Sequence, residues 1–313
     1  MAQVQTLPRV RGDLDSPSEQ TVSALRAGDS VRSVFACTRK DRFVARSGLP
    51  YLAVELRDRT GTIVARAFRE ADVLGARFER GDLVRVEGRV ERFRDELVVE
   101  VRDAVRVDVE SAEIDPARFL PSAYRDLDEL DGFLEHLAGE VYDRQYRALL
   151  DSLLSDRPMR AAWRRAPCSR AGHHAYLGGL LEHTVAVATL GQEICQLHPR
   201  LNSDLLLTAA LVHDIGRTRE FTYGAEFGLT GEGRMLGHLV LGERLLEDRC
   251  TAVGVDDPRR LALLHCVLSH HGAASAPGGR FASAEALALF RLNALDTAVK
   301  GAFERGLERG LDG

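Results

Sequence analysis

The sequence predicts an α+β chain of two domains, an N-terminal five-stranded β-barrel followed by an all-α helical bundle. Three observations carry this. Residues 28–110 hold short runs of alternating or clustered apolar and β-branched residues, the period of strands. From about Tyr124 onward, apolar residues recur at three- and four-residue spacing, the period of amphipathic helices. Pro116 and Pro121 stand between the two regimes. At 313 residues the chain has room for two cores of about 100–200 residues each. The expected division is an N-terminal extension over 1–27, a barrel domain over 28–110, a linker over 111–123 and a helical domain over 124–313.

In the first region VRSVFAC, YLAVELRD, TIVARAF, LVRVEGRVERF and ELVVEVRDAVRVDV read as strands. Arg59–Thr60–Gly61 is a hairpin turn between the second and third. An Ala/Leu-rich connector from Glu70 to Phe78 follows the third, and Gly81–Asp82 turns the chain into the fourth. Five strands in about 80 residues suit a small closed barrel. RTGTIVARAF, the Gly–Asp turn and LVRVEGRVERF resemble the nucleic-acid-binding branch of the OB-fold. Such a barrel grips single strands by stacking bases on aromatic rings and pairing phosphates with Arg. Phe43, Tyr51 and Phe93 are the stacking candidates, with Arg42, Arg46, Arg66, Arg92 and Arg94 for phosphates. Phe68, a further aromatic candidate, is expected in the core. Between Gly28 and Glu110, 17 Arg and Lys nearly balance 16 Asp and Glu, so binding requires Arg to cluster on one face.

In the second region RDLDELDGFLEHLAGEV and DRQYRALLDSLLSD predict two amphipathic helices. A third runs from Leu177 to about Cys195, with Pro199 as its breaker. Further helices are expected near Asp204–His213, Gly233–Cys250, Pro258–His270 and Ser283–Gly306, with AASAPGGRFAS as a loop.

Composition narrows the function. A net charge of −5 provides no global basic field for nucleic acid, so any contact must be local. Five cysteines (Cys37, Cys168, Cys195, Cys250, Cys266), widely spaced and without a CxxC pair, argue against a disulfide framework or a thiolate zinc site. No apolar run approaches the roughly 18 residues of a membrane span, so a membrane partner is not expected and the cytoplasm is the expected compartment.

Nine of the ten histidines fall between His173 and His271. LLLTAALVHDIG ends an apolar run in the pair His213–Asp214, where Gly216 is expected to cap the helix. His183 in GGLLEHT, His238 in GHLVLG, His270 and His271 in SHHG, and Asp296 in NALD each occupy an end or an inward face of a predicted helix. Imidazoles with carboxylates suit a first-row divalent cation, and a bridging carboxylate can serve two. Asp296 in apolar surroundings is costly unless it meets a cation.

The order H…HD…H…HH…D is similar to that of the HD-domain metal-dependent phosphohydrolases, an all-α superfamily. The strings HHAYLGGLLEHT, HDIGR, GHLVLG and LSHHG behind an OB-like barrel resemble the YhaM-type exoribonucleases over roughly Gly28 to Gly306. That resemblance implies a 3′–5′ exonuclease that converts single-stranded RNA, and in some cases single-stranded DNA, to 5′-mononucleotides. It implies one or two divalent ions, Mn²⁺ foremost, with Mg, Co, Fe or Ni as alternatives. His183, His213, Asp214 and Asp296 would hold the first. His238, His270 and His271 would hold a second, or the scissile phosphate. Asp214 would bridge and act with Arg217 in catalysis, and His173 and His174 would contact phosphate or cap a helix. Arg217 replaces the Lys of the family's HDxGK, and Asn293–Ala294 replace its Asp–Asn. The partners expected are single-stranded RNA or DNA and, in a homo-oligomer, further copies of the chain. Two alternatives are a hydrolase of small nucleotides, disfavoured by the barrel, and a non-catalytic nucleic-acid-binding protein, disfavoured because every expected ligand is present.

Overall fold

Alternation in the first region sends every second side chain into a shared interior. In the computed structural model, which describes residues 20–45, 48–108 and 114–304, β1 (Ser30–Val44), β2 (Pro50–Asp58), β3 (Gly61–Ala67), β4 (Leu83–Phe93) and β5 (Glu96–Val107) form a closed barrel in the order β1-β2-β3-β5-β4. A short helix, α1 (Ala71–Gly75), occupies the predicted connector. β3 and β5 pair in parallel and the other neighbours antiparallel, which is the OB-fold order. Leu52, Val54 and Leu56 of β2, Ile63 and Ala65 of β3, and Val84 and Val86 of β4 meet Phe35 in one core. β1 runs well past the apolar run that predicts it. Its polar end, Asp41–Val44, is held by pairing with Pro50–Ala53 rather than by burial. Arg46 lies outside the described residues, as do 1–19 of the expected extension, 109–113 at the barrel–linker boundary, and the chain beyond 304.

A second compact unit begins at Asp115. It comprises α2 (Leu127–Gly139), α3 (Arg144–Leu154), α4 (Arg157–Arg165), α5 (Gly179–Leu197), α6 (Ser203–Val212), α7 (Arg217–Glu220), the hairpin β6 (Phe221–Tyr223) and β7 (Phe227–Leu229), α8 (Gly231–Val253), α9 (Asp257–Ser269) and α10 (Ala284–Glu304). Acidic, amide or hydroxyl side chains start many of these helices. Asp126, Asp143, Asp156, Asn202, Thr230 and Asp256 each accept a backbone N–H of the first turn. α6 is buried from Leu205 through Val212 and packs on α5, α9 and α10, so whatever follows it is delivered to the interior.

One boundary is corrected, and two unannounced segments are added. Part of the presumed linker belongs to the helical unit: Phe119 and Leu120 are buried, Ala123 N–H donates to the Leu177 carbonyl, and Leu177 N–H donates to that of Pro121, both at 2.8 Å. Apolar side chains outweigh the two prolines as a guide there. Helix α4 and the α7–β6–β7 segment are structure that the periodicity does not announce. α4 buries only Trp163 among four arginines and so has no apolar stripe to read.

Candidate metal centre

The helix α6, buried from Leu205 onward, ends at His213 and Asp214, which are 1% and 2% exposed. His213 Nδ1 lies 2.8 Å from the Ala210 carbonyl. A carbonyl can only accept, so Nδ1 carries the proton and Nε2 a lone pair. His270, at the end of α9, repeats the device, with Nδ1 2.6 Å from the Val267 carbonyl. Burial, reinforced by neighbouring histidines, holds His213 well below the ordinary imidazole pKa despite Asp214, so it stays neutral.

His183 on α5 faces His213 with the two Nε2 atoms 3.1 Å apart. Its Nδ1 donates to Asp296 Oδ2 at 2.6 Å, which turns Nε2 toward His213. Two buried imidazole nitrogens this close share either a proton or a cation. His238 Nε2 and His271 Nε2 approach to 2.8 Å in the same manner. Asp214 Oδ1 is 3.3 Å from His238 Nε2 and 3.4 Å from His270 Nε2. Both Asp214 Oδ1 and His270 Nε2 are buried without a hydrogen-bond partner.

Among the described residues, three sets of donors converge within 4.8 Å: Asp214, His238, His270 and His271; Cys168, His183 and Asp214; and His174, His183 and Asp296. Orphaned buried acceptors around one carboxylate are what a divalent ion satisfies, and these residues fit one. Asp214 is shared by two of these sets. Asp296 is grouped with His174 and His183, so the structure brings it to His183 without placing it in a set with Asp214.

The surroundings fix these ligands. Asp214 stays ionised far below the usual carboxylate range: burial opposes this, but Arg217 and His238 outweigh it. Arg217 Nε donates to Asp214 Oδ2 at 2.8 Å and its Nη1 to Glu220 Oε2 at 3.1 Å. Glu220 also accepts the His238 backbone N–H at 3.2 Å. Gly216 does not cap α6; its φ of −61° is ordinary helix. Its role is close approach, because a Cβ there would sit 2.0 Å from the His238 carbonyl oxygen. Gly237, at φ 69°, bends α8 in the left-handed region just before His238.

His174 is enclosed, with Nδ1 2.8 Å from the Tyr176 hydroxyl and Nε2 3.0 Å from Asp296 Oδ2. Burial with both ring nitrogens engaged makes it a brace for Asp296 and leaves it nothing to offer a phosphate. His173 is only partly buried, and that burial, with His183 and His174 nearby, lowers its pKa to about 4. Tyr176 donates to Glu182 at 2.8 Å, and Lys300 pairs with Glu182 at 3.0 Å, extending the brace. Asn293, one of the two departures from the family pattern, donates to the His270 carbonyl at 3.3 Å.

Sequence reasoning missed Cys168 and Glu220. Glu220 carried a usable signal, three residues after Arg217 on one helical face. Cys168 had none, lying 46 residues from the Asp214 it touches at 3.5 Å.

On the barrel, Phe43 stacks on Tyr51 with centroids 5.6 Å apart, and Tyr51 meets Phe68 at 5.3 Å. Phe68 is 51% exposed and not in the core, because it keeps the outward parity of Arg66. Arg66 and Arg94 lie over the Phe93 ring at 4.5 and 5.4 Å. Arg92 precedes Phe93 in β4 opposite Leu97 of β5 and, among the described residues, lies over no aromatic ring. Arg42 is paired with Asp72 at 2.7 Å.

Comparison with known proteins follows the same division. Residues 180–298 match the HD domain family, and residues 34–113 match a family described as OB-fold nucleic acid binding domain. The chain is similar to the 3′-5′ exoribonuclease YhaM of Shouchella clausii, at 27% identity over 79% of this chain and 76% of that protein. It is similar to the protein of that name from Halalkalibacterium halodurans, at 25% over 79% and 76%. That of Bacillus subtilis is 26% identical over 79% of this chain and 78% of its own length.

Proposed function

We propose that this chain, an HD-domain metal-dependent hydrolase joined to an OB-fold nucleic-acid-binding domain and similar along most of its length to the YhaM exoribonucleases, removes nucleotides from the 3′ end of single-stranded RNA. The products are 5′-mononucleotides, and single-stranded DNA is a second substrate. The observation that supports this best is Asp214, one buried carboxylate shared by two converging donor sets.

His183, His213, Asp214, His238, His270 and His271 hold one or two divalent ions, with Asp296 oriented by His174 beside His183. Nitrogen and oxygen donors of this kind accept Mn²⁺, Fe²⁺, Co²⁺ and Ni²⁺, and Mn²⁺ is our choice for the Asp214–His238–His270–His271 set. When bound, such an ion supplies Lewis-acid polarisation of a phosphoryl oxygen and brings the pKa of water toward neutrality. The chain's own residues prepare the place. Backbone carbonyls fix the tautomers of His213 and His270. Arg217 remains charged at any working pH, since Asp214 and Glu220 raise its pKa against burial, and it contributes positive charge beside the reacting centre. His173 is assigned to the substrate phosphate. On the barrel, Tyr51 and Phe93 stack bases while Arg66, Arg92 and Arg94 take phosphates.

The test is product analysis with Mn²⁺ and end-labelled single-stranded RNA. A 5′ label should give a descending ladder, and a 3′ label should appear at once as mononucleotide. Internal cleavage as the first event overturns the exonuclease assignment.

A further inference from the structure

Among the described residues, the Cys168 thiol is the one soft donor in the converging groups of the centre. The segment between α4 and α5 is pinned at both ends. Leu180 N–H donates to the Ala166 carbonyl and Cys168 N–H to the His174 carbonyl, each at 3.0 Å. These bonds leave Cys168 no freedom to turn away, and its side chain is fully buried. The Sγ lies 3.5 Å from Asp214 Oδ2 and 3.6 Å from His173 Nε2. It converges with one ligand atom each of His183 and Asp214 inside a 4.8 Å group. A cysteine kept for packing would be surrounded by apolar atoms; this one is set among a carboxylate and imidazoles. Independently of the thiol, the other oxygen of the same carboxylate, Asp214 Oδ1, is buried without a partner, and His183 Nε2 lies 3.1 Å from His213 Nε2.

We propose that Cys168 is a ligand of the ion held by His183 and Asp214, and that its sulfur selects a thiophilic ion, Zn²⁺, Fe²⁺ or Co²⁺, at that position. The proposal rests on the metal centre assigned above. It leaves Mn²⁺ to the neighbouring set of three histidines and Asp214. On binding, the S–H bond breaks, a sulfur–metal bond forms and the proton passes to solvent; nothing is oxidised or reduced. Soft thiolate shifts a mixed site away from Mg²⁺ and Mn²⁺, which prefer oxygen.

Cobalt makes the bond visible. The full chain, stripped of metal and titrated with Co²⁺, should bind close to stoichiometrically and develop a near-ultraviolet thiolate-to-cobalt charge-transfer band. Cys168→Ser should lose that band while His183, His213 and Asp214 still bind Co²⁺, and its preference for Zn²⁺ over Mn²⁺ in competition should fall about tenfold or more. Cobalt bound without the band, or a band that survives in Cys168→Ser, overturns the thiolate ligand and leaves the metal centre standing. A wild-type chain that binds no Co²⁺ overturns both.

Discussion

The barrel and the helical unit both present aromatic rings beside charges, yet they use them in opposite ways. The barrel's rings stand in water, with Phe43, Phe68 and Phe93 each more than 40% exposed, and its arginines lean on rings or on single carboxylates at the surface. In the helical unit His183, His213 and His270 are enclosed, backbone carbonyls set the tautomers of His213 and His270, and one carboxylate is ringed by His238, His270, Arg217 and Cys168. A surface of the first kind tolerates variation, because any base has a face to stack and any phosphate a charge to pair. A site of the second kind tolerates little, because an unpaired buried charge is expensive. Substitutions of similar size should therefore differ in effect by orders of magnitude between the two.

Asp214→Asn should show the largest effect. It keeps the shape of the carboxylate but removes the charge shared by two donor sets, so we expect loss of most bound metal and at least about a thousandfold loss of hydrolysis. Elemental analysis and steady-state rates check this, and retention of both metal and activity would break the assignment of Asp214. Glu220→Gln comes next. Glu220 holds Arg217 and the His238 backbone. A positioning role predicts metal affinity weaker by about 10–100-fold, with activity recovering at saturating metal. A deficit unmoved by metal would show that Glu220 does something else.

Proton linkage separates the two units again. No histidine lies between residues 28 and 110, whereas His213 is buried and held well below its ordinary value of 6.5 by desolvation. A histidine with a depressed folded pKa stabilises above the unfolded value of about 6.5 and loses that contribution as pH falls toward the folded value. Each such group can cost up to about 1.4 kcal/mol per pH unit in that window. Hydrogen exchange of the metal-free full chain, corrected for intrinsic rates, should show protection in α6 falling between pH 7 and pH 5.5 while β2 and β3 hold. Equal losses in both units would refute the local origin.

How much of this was legible in the sequence follows the same contrast. Period two located the core of every barrel strand, and the apolar run ending in His213–Asp214 identified the buried helix that delivers them. What stayed hidden depends on packing across long separations. Cys168 reaches Asp214 only because α4 and α5 fold back on one another. Gly216, expected as a cap, is needed because α8 passes against it. Phe68 looked like core from its neighbours in sequence, but outward parity at the end of β3 decides otherwise. His174 is adjacent to His173 and looks equivalent, yet a left-handed φ of 50° turns it into the interior against Asp296.

Tyr51→Ala tests the tolerant surface. Tyr51 is the middle ring of Phe43–Tyr51–Phe68, so its loss removes one stacking position and loosens two more. Single-stranded RNA binding should weaken by about 1 kcal/mol or somewhat more, roughly fivefold or above, with no change on a small chromogenic phosphodiester. Equal losses on both substrates would place Tyr51 outside the strand-binding surface.

The smallest expected effect is the most diagnostic of how the barrel holds a strand. Arg66 lies over Phe93 at 4.5 Å and, among the described residues, has no carboxylate partner, whereas Arg42 is paired with Asp72. A phosphate can therefore take Arg66 without displacing an anion, but must compete with Asp72 for Arg42. Each phosphate neutralised on a single strand contributes about 0.7 to the slope of log K against log salt. Arg66→Gln should lower that slope by about this amount, with the affinity loss greatest at low salt. Arg42→Gln should change it less, since the charge removed was already compensated. Equal slope changes for the two variants would mean that Asp72 releases Arg42 when RNA binds, and the barrel's charge pairs would then be a reserve of phosphate contacts rather than a static surface.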